Sequence, residues 1–380
     1  MDFNLSEEQI DIQKAAREFA RGEFDPDEAL DLDRNGQFPL RIWKRACHLG
    51  FIGIHFPNQY GGQDLGLLEN ILVVEAFCSR HSGVGMALGL SDFGSEVILR
   101  FGNEYQKRRY LPLIAKGESA SSLAYMEKGQ TDGSSFVSTV AIRNGEGYLI
   151  NGEKIFVVNA TLSGPMIVFC QWNKTKSDDQ VALIVEKNGD GPVPSMMGGQ
   201  IGMRMVSMVS LTFNDVAVPH GNLIGEEGQG RSQFVNFLNE MRIEAAAMGV
   251  GIAQGAFDLA LTHAKQRVQF DQPIASFEAI RNKLADMVTR LEMARLLTYK
   301  AAWDFDRNGG DVLLNCMAKM VSAETAFEVA DDAIQIFGGY GYMVENQIEH
   351  FYRDARMVNV FGELGQTERL LIADRMIGNI

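Results

Sequence analysis

Residues 351–373, FYRDARMVNVFGELGQTERLLIA, decide how the end of this chain folds. Residues 351–361 carry a helical pattern, and a second helical pattern resumes at Gln366. Between them, Gly362-Glu363-Leu364-Gly365 predicts a break in the helix. Two helices joined by a glycine-bracketed turn bring a carboxylate and several backbone N–H groups into one small volume. We therefore expect this turn to belong to a functional site.

Length, charge and cysteine content exclude several classes of protein. With 380 residues the chain is long enough for two or three domains. Its net charge of −14 argues against nucleic-acid binding, because a phosphate backbone would be repelled. The chain contains no run of about 18 apolar residues, so we predict no membrane span. The N-terminus lacks a signal pattern. The six histidines show no metal-ligand spacing. We expect a cytoplasmic protein with buried, reduced thiols at Cys47, Cys78, Cys170 and Cys316.

The periodicity of the apolar residues changes twice along the chain. Residues 1–118 have a helical period, beginning with a capping box at Ser6-Glu7-Glu8-Gln9. Residues 119–230 contain several short strand-like runs, which predict a β-barrel or sandwich. Residues 231–380 return to long amphipathic helices with short connections, which predict a bundle. The predicted fold is mainly α, with a central β-domain and a C-terminal four-helix bundle.

Two glycine-containing patterns give local predictions. Asn151-Gly152 lies between two strand-like runs, which predicts a hairpin turn. Gly249-Val250-Gly251 and the glycine at 255 resemble a dinucleotide-binding pattern, but they lie inside a helical segment and their spacing is wrong. We interpret these glycines as sites where helices pack closely.

Three motifs carry a family resemblance that covers essentially the whole chain. They are Arg267-Val268-Gln269-Phe270, the segment 332–339 (DAIQIFGG) and Tyr352-Arg353-Asp354-Ala355. With these motifs the chain resembles the acyl-CoA dehydrogenases, flavoproteins that introduce double bonds into CoA thioesters. The resemblance implies FAD as cofactor, an acyl-CoA substrate and an electron-transferring flavoprotein as electron acceptor.

The resemblance also implies where FAD binds. In the family, residues matching Arg267 and Phe270 of one subunit act with Gln335 and Gly339 to hold the FAD of a neighbour, which implies a homotetramer. An arginine fork suits a pyrophosphate, and glycine lets backbone N–H groups approach it. Further flavin contacts are implied for Gln366, Tyr125, Met126, Phe156 and Val158. Val158 replaces a threonine whose hydroxyl lies near the flavin in other members.

The catalytic base departs from the family pattern. Most members have Glu-Gly-Thr at the C-terminal turn, where the glutamate removes the α-proton; here Gly362 takes its place and Glu363 follows one residue late. A glycine keeps the backbone N–H of the oxyanion hole and deletes the carboxylate. In some family members the base stands at the position of Met241, beside Arg242. A methionine cannot accept the proton, so this alternative base is absent here too. Arg242 and Asp132 match substrate contacts.

Two acids remain candidates for the base. Glu363 can act as the base if the conformation of the turn is shifted so that its side chain takes the place of the missing glutamate. Asp92 matches the wall of the acyl pocket, although an aspartate at a predicted helix start can also be a simple N-cap.

The missing α-base suits a substrate that has no α-proton. Cyclohex-1-ene-1-carboxyl-CoA is such a compound, and its oxidation is a 1,4-elimination with the base off the α-position, where Asp92 is expected. An alicyclic acyl-CoA dehydrogenase of anaerobic aromatic-acid metabolism is therefore the leading hypothesis. The alternatives are an enoyl-CoA reductase, an ordinary α,β-dehydrogenase that uses Glu363, and a non-catalytic flavin-binding subunit.

Overall fold

The computed structural model describes residues 4–129, 138–145, 147–173, 179–186, 191–361 and 365–378. Within these residues helices occupy both ends of the chain, and strands occupy its middle. The predicted fold class is confirmed: N-terminal helices, a central β-domain and a C-terminal helical bundle.

Seven helices form the N-terminal part. The predicted capping box is present: Gln9 N donates to Ser6 Oγ over 3.2 Å, and Ser6 N donates to Gln9 Oε1 over 2.9 Å. These bonds satisfy N–H groups that the first helical turn leaves without partners. The helices are α1 (Glu7–Glu23), α2 (Pro26–Asn35), α3 (Leu40–His48), α4 (Leu67–Arg80), α5 (Ser82–Gly89), α6 (Ser95–Phe101) and α7 (Glu104–Ala115).

The middle of the chain forms one sheet of eight strands, with the order β6-β7-β3-β2-β4-β5-β8 and β1 paired to β4. Most neighbours are antiparallel, but β1 and β2 both run parallel to β4. The strands are β1 (Ser122–Ala124), β2 (Val140–Asn144), β3 (Gly147–Val158), β4 (Pro165–Trp172), β5 (Gln180–Glu186), β6 (Val193–Met196), β7 (Met208–Pro219) and β8 (Leu223–Ile224).

The predicted hairpin at Asn151-Gly152 is wrong, because β3 continues through both residues. The Asn151 side chain bonds across to Asp215 of β7 in both directions, over 2.8 and 2.9 Å, instead of stabilising a turn. Gly152 has φ +146°, and a Cβ there would lie 2.6 Å from Thr139 Cα. The glycine therefore marks an irregularity in the pairing of β3 with β7, which is the usual role of glycine inside a strand.

The C-terminal part is built on α8, which spans 37 residues. Its apolar window is long enough to cross a membrane by length and composition, but 67% of that window is buried inside the protein, as in a core helix. The elements are α8 (Gly230–Gln266), β9 (Val268–Gln269), β10 (Gln272–Pro273), α9 (Glu278–Asn308), α10 (Val312–Phe337), α11 (Ile348–Val358) and α12 (Gly365–Ile377).

Glycines in α8 let neighbouring helices approach closely. A Cβ at Gly249 would lie 2.9 Å from the Ser322 carbonyl oxygen of α10. A Cβ at Gly251 would lie 2.6 Å from the Glu75 carbonyl oxygen of α4. Side chains at these positions would force the helices apart, so the packing interpretation of this glycine pattern is confirmed.

Helix α11 ties the three parts together through Arg353 and Asp354. The buried Asp354 carboxylate accepts a hydrogen bond from Ser82 Oγ of α5 and one from the backbone N–H of Met203, each over 2.6 Å. Arg353 Nη2 donates to Asp33 of α2 over 2.9 Å. Two adjacent side chains thus hold the C-terminal bundle against both the N-terminal helices and the segment between β6 and β7.

We expect Asp354→Ala to destabilise the protein by at least about 2 kcal/mol, because it strands two buried donors. Asp331→Ala, which removes an exposed aspartate from α10, is the matched control and should change stability by less than about 0.5 kcal/mol. Denaturant unfolding followed by fluorescence measures both. Equal midpoints for the two variants would contradict the role assigned to Asp354.

Candidate active site

Asp92 lies in the turn between α5 and α6 and is 92% buried, with 8% of its surface exposed. Helix α6 begins at Ser95 and its N-cap is Gly94, so the prediction of an N-cap at Asp92 is wrong. Gly94 has φ +92°, and its backbone N–H is bonded by the Glu96 side chain over 2.9 Å. The chain therefore turns two residues later than the sequence pattern predicts, and the Asp92 carboxylate does not cap this helix.

Asp92 forms part of the wall of a small interior cavity. Gly89, at the end of α5, lines the same wall. A Cβ at Gly89 would lie 3.4 Å from Val74 Cγ2 and 3.5 Å from Met248 Cε, so the glycine keeps this space open. The cavity measures about 10 Å³, which is about the space of one water molecule, and its remaining lining residues are mostly apolar; they are Phe51, Ile52, Asn70, Val73, Val74, Phe77 and Leu88.

Three more buried carboxylates surround Asp92. Glu96 belongs to α6, while Glu240 and Glu244 belong to α8, and all three are less than 10% exposed. Arg100 forms a bidentate ion pair with Glu240, over 2.7 and 3.2 Å. Asn70 Nδ2 donates to Glu244 over 3.2 Å. We refer to Asp92, Glu96, Glu240 and Glu244 as the acidic cluster.

Burial raises the pKa values of three carboxyl groups of the acidic cluster, those of Asp92, Glu96 and Glu244. It raises the pKa of Asp92 to about 7, although backbone N–H groups, including that of Gly53, partly oppose the shift. Burial, and then the nearby carboxylates, raise the pKa values of Glu96 and Glu244 well above the usual range. Desolvation and like charges both favour the neutral acid. Glu96 and Glu244 therefore retain protons at neutral pH, and Asp92 titrates in the range where a general base is useful.

His55 also faces this cluster, in the loop that follows α3. Its Nε2 lies 3.9 Å from Glu96 Oε1, and burial lowers its pKa to about 3. Sequence reasoning missed His55, and no sequence signal marks it. A signal for Glu96 and Arg100 exists: they are four residues apart, which places both on one face of α6.

The residue that precedes the C-terminal turn contacts the residue that follows Asp92. Phe361 is buried, and its ring centroid is 5.3 Å from that of Phe93. Phe93 follows Asp92 directly, and Phe361 precedes Gly362 directly. Gly362 and Glu363 themselves lie outside the described residues, as does Asp132. Among the described residues, the two phenylalanines that flank the candidate base positions are in contact.

Two other expected residues lie on the buried side of α8. Arg242 is 4% exposed and Met241 is 2% exposed. Met241 packs in the apolar core. The alternative base position is therefore occupied by an apolar side chain within the core.

The expected flavin-ring residues come from two segments that the structure brings together. Ile155 N donates to the carbonyl oxygen of Met126 over 2.9 Å. Lys154 Nζ donates to the carbonyl oxygen of Tyr125 over 3.2 Å and pairs with Glu127 over 2.7 Å. Burial alone would raise the pKa of Glu127, but the charge of Lys154 holds it at about 2. This buried pair fixes the two segments side by side.

The C-terminal end of strand β3 departs from regular strand geometry. Its pairing with β7 is irregular between Lys154 and Val157, and Phe156 has φ +54°. Such a bulge redirects a side chain, and the Phe156 ring is 46% exposed. Val158 is buried, so the replacement of the family's threonine leaves an apolar side chain at this position.

The expected pyrophosphate contacts lie together at one end of the bundle. Arg267, Phe270, Gln335 and Gly339 are all exposed, and the Arg267 guanidinium lies 5.4 Å above the Tyr340 ring. The Phe270 ring is 86% exposed, and a Cβ at Gly339 would meet nothing within 4 Å. An exposed guanidinium beside open backbone fits a pyrophosphate. Gln366 is also exposed, in the first turn of α12.

Three sequence models of one family match the chain in order. The acyl-CoA dehydrogenase N-terminal domain matches residues 6–118, the middle domain matches residues 124–216 and the C-terminal domain matches residues 228–377.

Several similar proteins match over nearly their whole length. The probable acyl-CoA dehydrogenase YngJ of Bacillus subtilis is 35% identical over 99% of this chain and 100% of its own. The cyclohex-1-ene-1-carbonyl-CoA dehydrogenase of Geobacter metallireducens is 35% identical over 97% of each chain. The acryloyl-CoA reductase (NADH) of Anaerotignum propionicum is 32% identical over 98% of this chain and 95% of its own.

Solved structures of similar proteins point to the same family as the sequence models. Butyryl-CoA dehydrogenase from Megasphaera elsdenii superposes with a TM-score of 0.94 at 32% identity, over 100% of both chains. An acyl-CoA dehydrogenase from Bacillus anthracis, solved as a complex with FAD, superposes with a TM-score of 0.90 at 31% identity, over 99% of this chain and 68% of its own.

We expect Asp92→Asn to flatten the dependence of stability on pH. Folded Asp92 keeps a proton that the unfolded chain releases near pH 4, so wild-type stability falls as pH rises from about 4 to 7. The lost stability is up to about 4 kcal/mol. The variant should therefore gain stability relative to the wild type at pH 8 and gain little at pH 5. Thermal unfolding at both pH values tests this, and the exposed Asp331→Asn serves as the control. An equal gain at both pH values would argue against a raised pKa.

Arg267→Ala should weaken FAD retention, because it removes a charge-assisted contact worth about 1.5–3 kcal/mol, or roughly 10- to 150-fold in affinity. Arg281→Ala, at an exposed arginine near the start of α9, is the matched control. Flavin fluorescence after gel filtration measures retention. Full retention by the Arg267 variant would remove this residue from the cofactor site.

Proposed function

The chain belongs to the acyl-CoA dehydrogenase family and is an FAD-dependent oxidoreductase of acyl-CoA thioesters; from this premise we propose that it dehydrogenates an alicyclic, unsaturated acyl-CoA, with Asp92 as the base. Cyclohex-1-ene-1-carboxyl-CoA is the proposed substrate. The similarity to an enzyme named for this compound supports the choice, although other relatives of similar identity carry other names.

One observation carries the proposal: Asp92 is a buried carboxylate, and the residue that follows it contacts Phe361, the last described residue before the C-terminal turn. Asp92 lies next to Phe93, which contacts Phe361 over 5.3 Å. Burial raises the pKa of Asp92 to about 7. A base in this range can hold the proton after abstraction and can release it before the next turnover.

The proposed chemistry is a 1,4-elimination. The α-carbon of the substrate already belongs to a double bond, so the proton leaves from the γ-carbon and a hydride leaves from the ring carbon on the other side of C1. FAD, when bound, accepts the hydride. Negative charge develops on the thioester oxygen through conjugation, and the backbone N–H of Gly362 is proposed to stabilise it. The absence of a side chain at Gly362 also leaves room for a ring.

The cofactor and partner residues follow from the same proposal. Arg267, Phe270, Gln335 and Gly339 would hold the FAD of a neighbouring subunit in a homotetramer, and Gln366 would add a contact. Tyr125, Met126, Phe156 and Val158 would line the flavin ring. Arg242 and Asp132 would contact substrate, and an electron-transferring flavoprotein would reoxidise the flavin.

A second candidate, an enoyl-CoA reductase, is favoured by one observation. A carboxyl group with a pKa of about 7 is partly protonated at neutral pH, so Asp92 can donate a proton as readily as it accepts one. The same site would then run in reverse, as the similarity to an acryloyl-CoA reductase allows. Rates with oxidised and reduced electron carriers separate the two directions.

We expect cyclohex-1-ene-1-carboxyl-CoA to bleach the bound flavin under anaerobic conditions, whereas butyryl-CoA and hexanoyl-CoA bleach it little. Asp92→Asn should slow bleaching by about 10²- to 10⁴-fold. Glu363→Gln, which removes a carboxylate in the same way, should have a smaller effect and is the matched control. The bleaching rate should rise with pH through about 7, because the base must be ionised.

The alternatives give different results. Fast oxidation of butyryl-CoA that depends on Glu363 indicates an ordinary α,β-dehydrogenase. No bleaching by any ester, with FAD bound, indicates a non-catalytic flavin-binding subunit.

A further inference from the structure

Lys154 is an unusual lysine, because its whole side chain lies inside the protein. It belongs to β3 and is 0% exposed. Lysine is rarely buried to this extent unless it is paired, since the ammonium group loses its hydration. Burial accordingly lowers the pKa of Lys154, and the nearby Glu127 carboxylate opposes this shift. A positive charge in the interior therefore calls for a specific role.

The ion pair of Lys154 with Glu127 has a defined direction. Lys154 Nζ donates to the Glu127 carboxylate over 2.7 Å and to the carbonyl oxygen of Tyr125 over 3.2 Å. The carboxylate also accepts hydrogen bonds from Thr139 N over 2.9 Å and from Ser138 N over 2.6 Å, just before β2. The negative end of the pair is thus anchored near β2, and its positive end meets the peptide group that follows Tyr125.

Stability does not account for this pair. A buried ion pair adds little net stability, and replacing it with apolar side chains of similar volume is often neutral or stabilising. Holding the two segments together does not require a charge either, because Ile155 N already donates to the carbonyl oxygen of Met126 over 2.9 Å. One role that only a charge can fill remains, which is an electric field at the peptide group between Tyr125 and Met126.

The proposed position of the flavin ring includes this peptide group. Tyr125 and Met126 are the flavin-ring residues on one side, and Phe156 and Val158 are those on the other. Lys154 precedes Phe156 by two residues, but its side chain is buried whereas the Phe156 ring is 46% exposed. The ammonium group therefore lies inside the protein, one hydrogen bond away from a peptide group that the ring would contact.

Hydride transfer changes the charge of the group that accepts it. The C–H bond that supplies the hydride breaks with its electron pair, so the acceptor gains two electrons and one proton, and with them one negative charge. A fixed positive charge in the interior stabilises that added charge far more than it would in water. The hydrogen bond from Lys154 also polarises the Tyr125 carbonyl, which makes the N–H of the same peptide group a stronger donor. Both effects favour the reduced flavin.

We propose that Lys154 raises the reduction potential of the bound flavin and that Glu127 limits this rise. The inference rests on the flavin position given in the proposed function, but not on the identity of the ester or of the base. Both residues act through the peptide group after Tyr125 and touch no reacting atom, so they are positioning residues and not catalytic ones. A higher potential favours hydride transfer to the flavin, which is the direction of the proposed dehydrogenation.

The reduction potential of the flavin tests this inference without any substrate. FAD-loaded protein is reduced slowly at neutral pH, without oxygen and with a reference dye of known potential, and absorbance gives the reduced fractions of flavin and dye. Lys154→Met keeps much of the side-chain length and removes the charge. It should lower the equilibrium constant for flavin reduction by about 10-fold or more, which is about 30 mV for two electrons. Glu127 stays ionised in this variant, because its other hydrogen-bond donors remain.

Shifts of opposite sign distinguish an effect of charge from an effect of structure. Glu127→Gln removes the negative partner and keeps its shape, so it should raise the equilibrium constant. The double variant, Lys154→Met with Glu127→Gln, restores a neutral pair and should return to within about 3-fold of the wild type. A structural role alone predicts that both single variants shift the constant in the same direction and that the double variant shifts it further. Lys154→Arg keeps the charge and should stay near the wild type.

Two exposed neighbours in the chain provide matched controls. Lys128 follows Glu127 and Glu153 precedes Lys154, and both side chains are exposed. Lys128→Met and Glu153→Gln remove the same two charges, but water and salt screen them, so each shift should stay below about 2-fold. If Lys154→Met does not fold with FAD bound, Lys154→Gln takes its place.

Three results would overturn the role of the pair. They are a wild-type equilibrium constant in FAD-loaded Lys154→Met, no rise of the constant in Glu127→Gln, and a double variant that departs from the wild type as far as Lys154→Met does. None of them bears on the proposed substrate, because no ester is added. If cyclohex-1-ene-1-carboxyl-CoA fails to bleach the flavin while the opposite shifts are present, the proposed function fails and the role of Lys154 stands.

Discussion

The buried carboxylate of Asp354 is the interaction on which the arrangement of the three parts depends. It accepts hydrogen bonds from α5 and from the segment that precedes β7, while its neighbour Arg353 pairs with α2. These contacts fix α11, and α11 leads directly into the C-terminal turn. The contact between Phe361 and Phe93 follows from this placement. A motif that lies outside the acidic cluster therefore determines which residues can meet at the active site.

Buried charges in this protein fall into two groups. Lys154 with Glu127, and Lys319 with Glu368, are ion pairs at 2.7 and 2.6 Å with almost no exposure. Each pair joins two segments: the segment after β1 with β3 in one case, and α10 with α12 in the other. Such pairs hardly improve net stability, because the desolvation cost offsets the attraction, but removing one partner is costly. They fix register and position. The acidic cluster differs, since its carboxylates outnumber the cations that neutralise them.

The sequence could predict the fold because its signals are local. The capping box at Ser6, the strand-like runs and the long helical periods each depend on neighbouring residues, and the fold class is confirmed. The hairpin at Asn151 was wrong for a tertiary reason: the asparagine bonds to Asp215 of another strand. The N-cap at Asp92 was wrong because Gly94 permits a left-handed turn two residues later. Turn chemistry alone does not contain either constraint.

The candidate site was less predictable than the fold. Asp92 could be found because a family pattern marks the pocket wall. Its partners could not, because α3, α6 and α8 meet there only through long-range packing. His55 lies 37 positions before Asp92 in the numbering, in a loop without periodicity, and nothing local points it at Glu96. A spacing of four residues relates Glu240 and Glu244 on α8, but spacing does not reveal that α6 and α8 share one buried volume.

Base strength connects these observations. A carboxylate near pH 4 is a weak base for carbon acids, and each unit by which its pKa rises adds about 1.4 kcal/mol of driving force to proton abstraction. Burial raises the pKa of Asp92 to about 7 and so supplies this driving force. The same environment would trap the proton, since a buried neutral acid has no contact with solvent. In the proposed reaction, moving the carboxylate from the C-terminal turn to the pocket wall changes both the position of proton abstraction and the route by which the proton must leave.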